Sequence, residues 1–238
     1  MPTNNMIHVQ DLKKAYNGVL VLDLPELEIP TGESFGLVGN NGAGKTTFFS
    51  LLLDLIEPTR GFIKNNEVVV NSSEDWKTFT TAFLDETFLI GYLTCEEYFY
   101  FLGELRNQSK TQVDEFVNSY ADFFNDEILG KNKFIRDLSK GNQKKVGIIG
   151  ALIGNPKVVI LDEPFANLDP TTQIRLKKIL KNIAETKQTT LLVSSHDLNH
   201  TFEVSDRIVC FEKGKIIQDI KTAEYSFEEL TAFFDVVE

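Results

Sequence analysis

Residues 39–47 read GNNGAGKTT and have the types and spacing needed to hold phosphate groups. They fit the pattern G-x-x-x-x-G-K-[ST] and lie between a predicted strand and a predicted helix, as that pattern requires. The glycines let backbone N–H groups wrap a phosphate, the Lys45 ammonium reaches the β and γ oxygens, and the Thr46 hydroxyl can bind Mg²⁺. The residues predicted to line this nucleotide site are Gly39, Asn40, Asn41, Gly42, Ala43, Gly44, Lys45, Thr46 and Thr47.

A pair of acids follows an apolar run in the segment VVILDEP. Because the run is continuously apolar, it predicts a central strand, which argues against two ordinary surface acids. Asp162 at its end can hold magnesium through water. Glu163, one residue further, can accept a proton from an attacking water molecule.

His196 follows another apolar run, TTLLVSS, and is predicted at the carboxyl end of a strand, where ligands collect in open α/β sheets. A neutral imidazole there can contact the γ-phosphate or the water. His200 lies four residues later, a spacing that also permits a pair of histidines on a metal, although no third ligand is apparent.

The elements that must position these residues alternate between strand and helix. Predicted strands include IHVQDL, VLVLDLPELEI, ESFGLVG, RGFIKN, TTAFL, KVVILD and TTLLVSS, followed by a hairpin around Lys213 and Gly214. Predicted helices include KTTFFSLLLDLI, GNQKKVGIIGALIG and TTQIRLKKILKNIAE. This order predicts an α/β fold: a P-loop core with a mostly parallel sheet flanked by helices, and an antiparallel β subdomain. We expect one domain over residues 1–238, with a helical insert at about 88–137.

Composition excludes several classes of function. The formal net charge is -11, which is the wrong sign for binding a nucleic-acid backbone. No apolar run approaches the roughly 18 to 20 residues of a membrane span, and the first residues lack the order of a signal peptide, so we expect a cytosolic protein. Cys95 and Cys210 are isolated in sequence and are expected to be packing residues.

A second helix start with small residues occurs at 138–145, LSKGNQKK. Backbone N–H groups at a helix start favour an anion, and Ser139 and Gly141 would let one approach closely. The chain therefore carries two predicted phosphate-holding helix starts, and the second needs an explanation.

With these parts in this order, the chain resembles the nucleotide-binding subunit of ATP-binding cassette (ABC) transporters over nearly its whole length. The motifs that carry the resemblance are GNNGAGKTT, LSKGNQ, ILDEP, NLD and SSH. LSKGNQ is similar to the family signature Leu-Ser-Gly-Gly-Gln, with Lys140 and Asn142 as departures. The resemblance implies that the nucleotide is ATP with Mg²⁺, and that Glu163 and His196 are catalytic.

The resemblance also explains the second helix start. In the family, two subunits pack head to tail, and the signature of one closes over the ATP held by the other. It implies that Ser139 and Gly141 contact the partner's ATP and that Asp169 crosses the dimer interface. Tyr16 would stack on adenine, or it is an ordinary aromatic residue at a strand end.

One position departs from the family pattern in a way that affects the chemistry. The family usually has Gln after the strand TTAFL, where its amide reaches Mg²⁺ and the attacking water, whereas this chain has Asp85. A carboxylate is a good magnesium ligand but is shorter, charged and only an acceptor. Asp85 is therefore predicted to bind the metal and to take part in catalysis, and its presence puts fast hydrolysis in question. The alternative is that Asp85 is only a turn residue.

Aromatic residues crowd the predicted insert, and two interpretations of them stay open. They form either a groove for a cytoplasmic helix of a membrane partner or the small core of the insert itself. The residues are Phe88, Tyr92, Tyr98, Phe99, Tyr100 and Phe101.

The expected function is ATP hydrolysis by a homodimer or paired cassette subunits that drive a separate transmembrane permease subunit. The protein would be cytoplasmic and peripheral on the inner face of the cell membrane, bound only through that partner. The sequence resembles an ABC-2 type exporter subunit more than a double-cassette translation factor. Two alternatives are a soluble cassette ATPase acting as an assembly or clamp factor, and a weakly hydrolysing, ATP-gated binding module.

Overall fold

The computed structural model describes residues 5–235, which form two sheets and the helices packed around them. The strands are β1 (Asn5–Tyr16), β2 (Val19–Pro30), β3 (Ser34–Val38), β4 (Arg60–Asn65), β5 (Val68–Val69), β6 (Thr80–Phe83), β7 (Val158–Leu161), β8 (Thr190–Ser195), β9 (Arg207–Glu212) and β10 (Lys215–Lys221). The helices are α1 (Lys45–Leu52), α2 (Cys95–Leu105), α3 (Lys110–Asn118), α4 (Ala121–Phe124), α5 (Lys140–Leu152), α6 (Pro170–Thr186), α7 (Leu198–Val204) and α8 (Phe227–Asp235).

The larger sheet has the strand order β10-β9-β3-β8-β7-β6. Its strands run parallel from β9 to β6, and β10 pairs antiparallel with β9. Every residue of β3, β7 and β8 is buried, as expected of parallel strands that are covered on both faces. The predicted parallel core is therefore confirmed.

The register of this sheet brings the carboxyl ends of three strands together. Val38 at the end of β3 pairs with Ser195 of β8, and Leu161 at the end of β7 pairs with Val193 of β8. The segments that follow these strands carry the phosphate-binding loop, the acidic pair and His196. They therefore begin at one edge of the sheet, where ligands bind in folds of this kind.

The smaller sheet is antiparallel and has the order β2-β1-β4-β5. Alternate residues of β1 and β2 point inward, among them Ile7, Val9 and Leu24, and form one core with Phe48 and Phe49 of α1. Burying each of these side chains stabilises the fold by about 2 kcal/mol. This packing fixes α1 between the two sheets, and the predicted antiparallel subdomain is confirmed.

Helices α2 to α4 lie between β6 and α5, within the segment predicted as a helical insert. Phe99 is buried against Phe124, with ring centroids 5.9 Å apart. Phe88, Tyr92 and Phe101 are exposed. The aromatic residues therefore divide into a small core inside this segment and a set on its surface.

The sequence patterns predict no element after the hairpin, whereas the structure has a last helix, α8, there. The Ser226 N–H donates to Glu229 Oε2 at 2.8 Å, and the Glu229 N–H donates to Ser226 Oγ at 3.2 Å. This reciprocal pair is a capping box, for which Ser-x-x-Glu is the sequence signal. That signal was available in the sequence and would have located the start of the helix.

Both cysteines are buried and free, in agreement with their assignment as packing residues. Burial raises the pKa of Cys95 and of Cys210 to about 12 in each case. The thiols therefore stay protonated at neutral pH and are poor nucleophiles.

Candidate functional site

The phosphate-binding loop joins β3 to α1 through backbone conformations that need glycine. Gly44 precedes α1 with φ 107°, a region that residues with a side chain rarely adopt. A Cβ at Gly39 would lie 2.5 Å from the backbone oxygen of Phe211. Gly44 caps α1 without a side-chain hydrogen bond, so the first N–H groups of the helix are available to an anion.

The middle of the loop is an exposed turn with a buried end. Asn40, Asn41 and Gly42 are exposed, whereas Ala43 is buried. The Ala43 N–H donates to the Asn40 carbonyl at 3.0 Å, and the Ala43 carbonyl accepts the N–H of Gly214 at 2.9 Å. Ala43 therefore anchors the loop to the β9–β10 hairpin, and its own N–H is already used.

Lys45 is the first residue of α1 and is only 6% exposed. Its Nζ donates to the Gly39 carbonyl at 2.6 Å and lies 3.2 Å from Glu163 Oε1. Burying an ammonium group is costly unless oxygen atoms surround it. The loop thus holds one cation beside the acid that follows β7.

Thr46 and Asp162 form the second contact between the loop and β7. Thr46 Oγ1 donates to Asp162 Oδ2 at 2.6 Å, and the Ser194 hydroxyl donates to Asp162 Oδ1. Burial raises the pKa of Asp162, and the hydrogen bonds from Ser194 and Thr46 oppose that rise. A hydroxyl beside a buried carboxylate is an oxygen donor set of the kind that Mg²⁺ prefers, so these residues fit the ion.

Glu163 has a left-handed backbone, with φ 47°. Its N–H donates to Ser194 Oγ at 2.9 Å, and its Oε2 lies 2.8 Å from His196 Nδ1. Non-glycine residues in this region are uncommon and are held there by their surroundings. The contacts direct the carboxylate towards Lys45 and His196.

His196 and His200 occupy different environments. The His196 side chain is 56% exposed, and its Nδ1 lies within hydrogen-bond distance of the Glu163 carboxylate, 2.8 Å from Oε2. His200 stacks on Phe165 with ring centroids 4.7 Å apart, and its Nε2 lies 3.6 Å from Asp197 Oδ2. Burial lowers the pKa of His200. These contacts favour His196 as part of the site and His200 as a packing residue.

The second predicted helix start is exposed at the beginning of α5. Ser139 Oγ accepts the N–H of Asn142 at 3.3 Å and caps the helix. A Cβ at Gly141 would lie 3.3 Å from the Asn167 carbonyl. Within residues 5–235, no hydrogen bond or ion pair joins this helix start to the phosphate-binding loop. The two helix starts of one chain therefore do not complete a single site.

Asp169 and Tyr16 are both accessible. Asp169 caps α6 by accepting the Thr172 N–H at 3.1 Å and the Thr172 hydroxyl at 2.6 Å, and these bonds hold the pKa of Asp169 below its ordinary value. Tyr16 ends β1, is half exposed, and has Lys14 Nζ 4.8 Å from its ring centroid. Neither residue contacts Asp162 or Glu163.

Asp85 follows β6 and makes a local contact. Its carboxylate accepts the Thr87 N–H at 2.6 Å and so caps the short turn Glu86–Phe88. Hydrogen bonding from Thr87 lowers the pKa of Asp85. The side chain is exposed and therefore ionised, with room to bind a cation, but the structure does not bring it into contact with Thr46 or Asp162.

Three residues of the site were missed in the sequence analysis: Ser194, Lys144 and Glu86. Ser194 bridges Asp162 and the Glu163 N–H. Lys144 Nζ donates to the Glu163 carbonyl at 2.9 Å and lies 3.7 Å from Glu86 Oε1. Ser194 belongs to the same strand-end motif as His196, so the sequence could have indicated it as a site residue. A buried lysine has no signal in a hydropathy pattern.

Comparison with known proteins places this arrangement in a family. The family model described as ABC transporter matches residues 22–166. The chain belongs to this family. The cassette is 34% identical, over 89% of its length and 76% of the relative's, to an uncharacterized ABC transporter ATP-binding protein, MJ1023 of Methanocaldococcus jannaschii. It is 29% identical, over 92% of its length and 70% of the relative's, to the bacitracin transport ATP-binding protein BcrA of Enterococcus faecalis.

Solved structures share the fold of the cassette. An ATP-binding subunit of an ABC transporter matches with a TM-score of 0.82 and 25% identity, over 95% of this chain and 98% of the other. A dimeric cassette, MJ0796, in a post-hydrolysis state bound to ADP and Pi, matches with a TM-score of 0.81 and 23% identity. The match covers 93% of this chain and 100% of the other. The resemblance to the ATP-binding subunit of ABC transporters and the predicted fold are both confirmed. Among the described residues, no helix of the cassette is long and apolar enough to span a membrane.

Proposed function

We propose that the cassette binds ATP with Mg²⁺ at the sheet edge where β3, β7 and β8 end, and hydrolyses it there. The observation that carries this proposal is the convergence of Lys45, Glu163 and His196, with Thr46 hydrogen-bonded to Asp162 beside them. The loop N–H groups and Lys45 would bind the phosphates, and Thr46, Asp162 and Asp85 would hold the ion. Bound Mg²⁺ would neutralise phosphate charge.

Glu163 is the proposed general base. Its carboxylate would take a proton from the water that attacks the γ-phosphorus, as the bond from that phosphorus to the leaving oxygen breaks. A triphosphate would replace Glu163 as the anionic partner of Lys45, which leaves Oε1 available to the water. With its proton on Nδ1, shared with Glu163, a neutral His196 ring would accept a hydrogen bond from the water at Nε2, whereas with a proton on Nε2 it would donate to the γ-phosphate.

A complete site is proposed to need two chains. Ser139 and Gly141 lie at an exposed helix start that is not joined to the phosphate-binding loop of the same chain. Packed head to tail, a homodimer or a pair of cassettes would bring each helix start to the other's ATP, with Asp169 at the interface. The dimeric state of MJ0796 with ADP and Pi supports this arrangement.

We further propose that this dimer drives a separate transmembrane permease and is held on the cytoplasmic face of the membrane by it. The proposed contact is the segment 88–137, whose surface carries Phe88, Tyr92 and Phe101. The finer proposal of an ABC-2 exporter type rests on the resemblance of the loop sequence NNGAGKTT alone.

Two measurements test the proposal. Phosphate release from ATP by the purified chain should require Mg²⁺ and should be lost in Lys45→Ala. ATP binding without phosphate release would favour the ATP-gated binding module instead. Co-purification from membranes should recover a protein with several membrane spans, whereas a soluble assembly complex in its place would favour the clamp or assembly factor.

A further inference from the structure

Lys144 is a buried cation that ties three parts of the molecule together. It lies in α5, is only 5% exposed, and its Nζ donates to the backbone carbonyl of Glu163 at 2.9 Å. The same Nζ lies 3.7 Å from Glu86 Oε1, in the turn after β6. A lysine is rarely buried unless its charge is compensated, and Glu86 provides that compensation.

The contact acts on a residue whose backbone is constrained on both sides. The N–H of Glu163 is held by Ser194 Oγ at 2.9 Å, and its carbonyl is held by Lys144 and by the Ala166 N–H at 3.2 Å. Glu163 is in the left-handed region, with φ 47°. Rotation of either flanking peptide would swing the carboxylate away from Lys45 and His196, so these hydrogen bonds decide where it points.

The position of Lys144 also links Glu163 to the exposed start of α5. Ser139 caps this helix, and Lys144 lies five residues further, about 7.5 Å along the axis. Glu86 is the neighbour of Asp85 and belongs to the segment that leads from β6 into α2. A displacement of α5 or of that segment therefore changes the hydrogen bond on Glu163 directly.

We propose that Lys144 is a positioning residue for hydrolysis, which holds the backbone of Glu163 in place and is itself held by Glu86. The inference rests on the proposed role of Glu163 as the base. Through Lys144, the orientation of the Glu163 carboxylate depends on the position of α5. It therefore also depends on the partner cassette that the start of α5 is proposed to contact.

The first test compares Lys144→Met with Lys144→Arg in steady-state ATP hydrolysis. Methionine keeps the length of the side chain but removes the charge and the donors, so kcat should fall about tenfold to a hundredfold, as misplacement of a catalytic group does. The KM for ATP should stay unchanged, because the phosphate-binding loop is untouched. Arginine, which keeps charge and donors, should recover much of kcat. Wild-type kcat in folded Lys144→Met would overturn the inference.

A second test separates positioning from folding. Lys144→Met leaves the Glu86 carboxylate buried without its cation, which lowers stability. Adding Glu86→Gln removes that charge, so the double variant should melt close to the wild-type temperature while kcat remains low. If kcat returns together with the melting temperature, Lys144 has only a structural role and the inference is wrong.

Lys145→Met is the matched control. Lys145 is the next residue of α5, is equally buried, and pairs with Glu127 at 3.6 Å rather than with Glu163. It should lose stability without the fall in kcat. Glu163→Gln is the reference: Lys144→Met should add nothing to it. If Glu163→Gln itself keeps full turnover, the proposed base is wrong; if it loses turnover while folded Lys144→Met does not, only the present inference fails.

Discussion

Glu163 Oε2 and His196 Nδ1 lie 2.8 Å apart, although the two residues come from different strand ends. Glu163→Gln keeps the size of the side chain but removes the proton acceptor. We expect turnover to fall by roughly 10²-fold or more, as for the loss of a general base, while ATP still binds and the ATP-bound dimer persists. Phosphate release and nucleotide binding measured on the same preparation check this expectation. Near wild-type turnover would remove Glu163 from the mechanism.

Asp162 is expected to stabilise the protein with bound Mg²⁺ and ATP but to destabilise the folded protein without them. Burial raises the pKa of Asp162, which means that the folded protein disfavours its ionised form. Asp162→Asn should therefore raise the melting temperature without nucleotide by about 2 to 4 °C, the range for a change of about 1 kcal/mol in a chain of this size. Magnesium-dependent ATP hydrolysis should be lost.

The pH dependence of this difference provides a check with a defined sign. The penalty for an acid with a raised folded pKa is present at neutral pH and disappears as the pH falls below its unfolded value. The gap in melting temperature between Asp162→Asn and the wild type should therefore narrow as the pH is lowered through the acidic range. A lower melting temperature for the variant at pH 7 would contradict the assignment of burial as the dominant effect.

Much of the fold was accessible from the sequence because its signals are local. The runs that became β3, β7 and β8 are continuously apolar, and a fully buried parallel strand needs that pattern. The carboxyl ends of parallel strands lie at the same edge of a sheet. The same apolar runs therefore also predict that Asp162 and His196 lie beside the phosphate-binding loop.

The contacts that support the site were not accessible in the same way. Lys144 and Glu163 are hydrogen-bonded although they are 19 residues apart in the sequence, and Ser194 and Asp162 are hydrogen-bonded across 32 residues. No periodicity reports which polar side chain will be buried against which backbone group. A lysine in an amphipathic pattern is read as solvated, and only the tertiary structure reveals Lys144 as an interior cation.

The head-to-tail arrangement predicts a selective effect at Ser139. In a Glu163→Gln background, Ser139→Arg should leave ATP binding by the monomer intact, because the phosphate-binding loop is not changed. It should prevent ATP-dependent dimerisation, because the bulky side chain would meet the partner's γ-phosphate. Size-exclusion chromatography with ATP measures the outcome.

The control for Ser139→Arg is Ser109→Arg. Ser109 caps α3 by the same kind of hydrogen bond, to the Gln112 N–H at 3.3 Å, so both changes remove a serine cap at a cost of about 1 kcal/mol. The Ser109 variant should still dimerise. If the Ser139 variant dimerises equally well, the head-to-tail arrangement does not apply to this cassette.

Asp85 permits a test in which the cap is preserved while the charge is removed. Asparagine caps a helix turn as well as aspartate does, so Asp85→Asn should keep the hydrogen bond to the Thr87 N–H and the stability of the fold. If the carboxylate binds Mg²⁺, the magnesium midpoint for ATP binding and hydrolysis should rise in Asp85→Asn, and Asp85→Gln should keep or raise turnover. An unchanged midpoint in Asp85→Asn would mean that the cap on Thr87 is the whole role of Asp85.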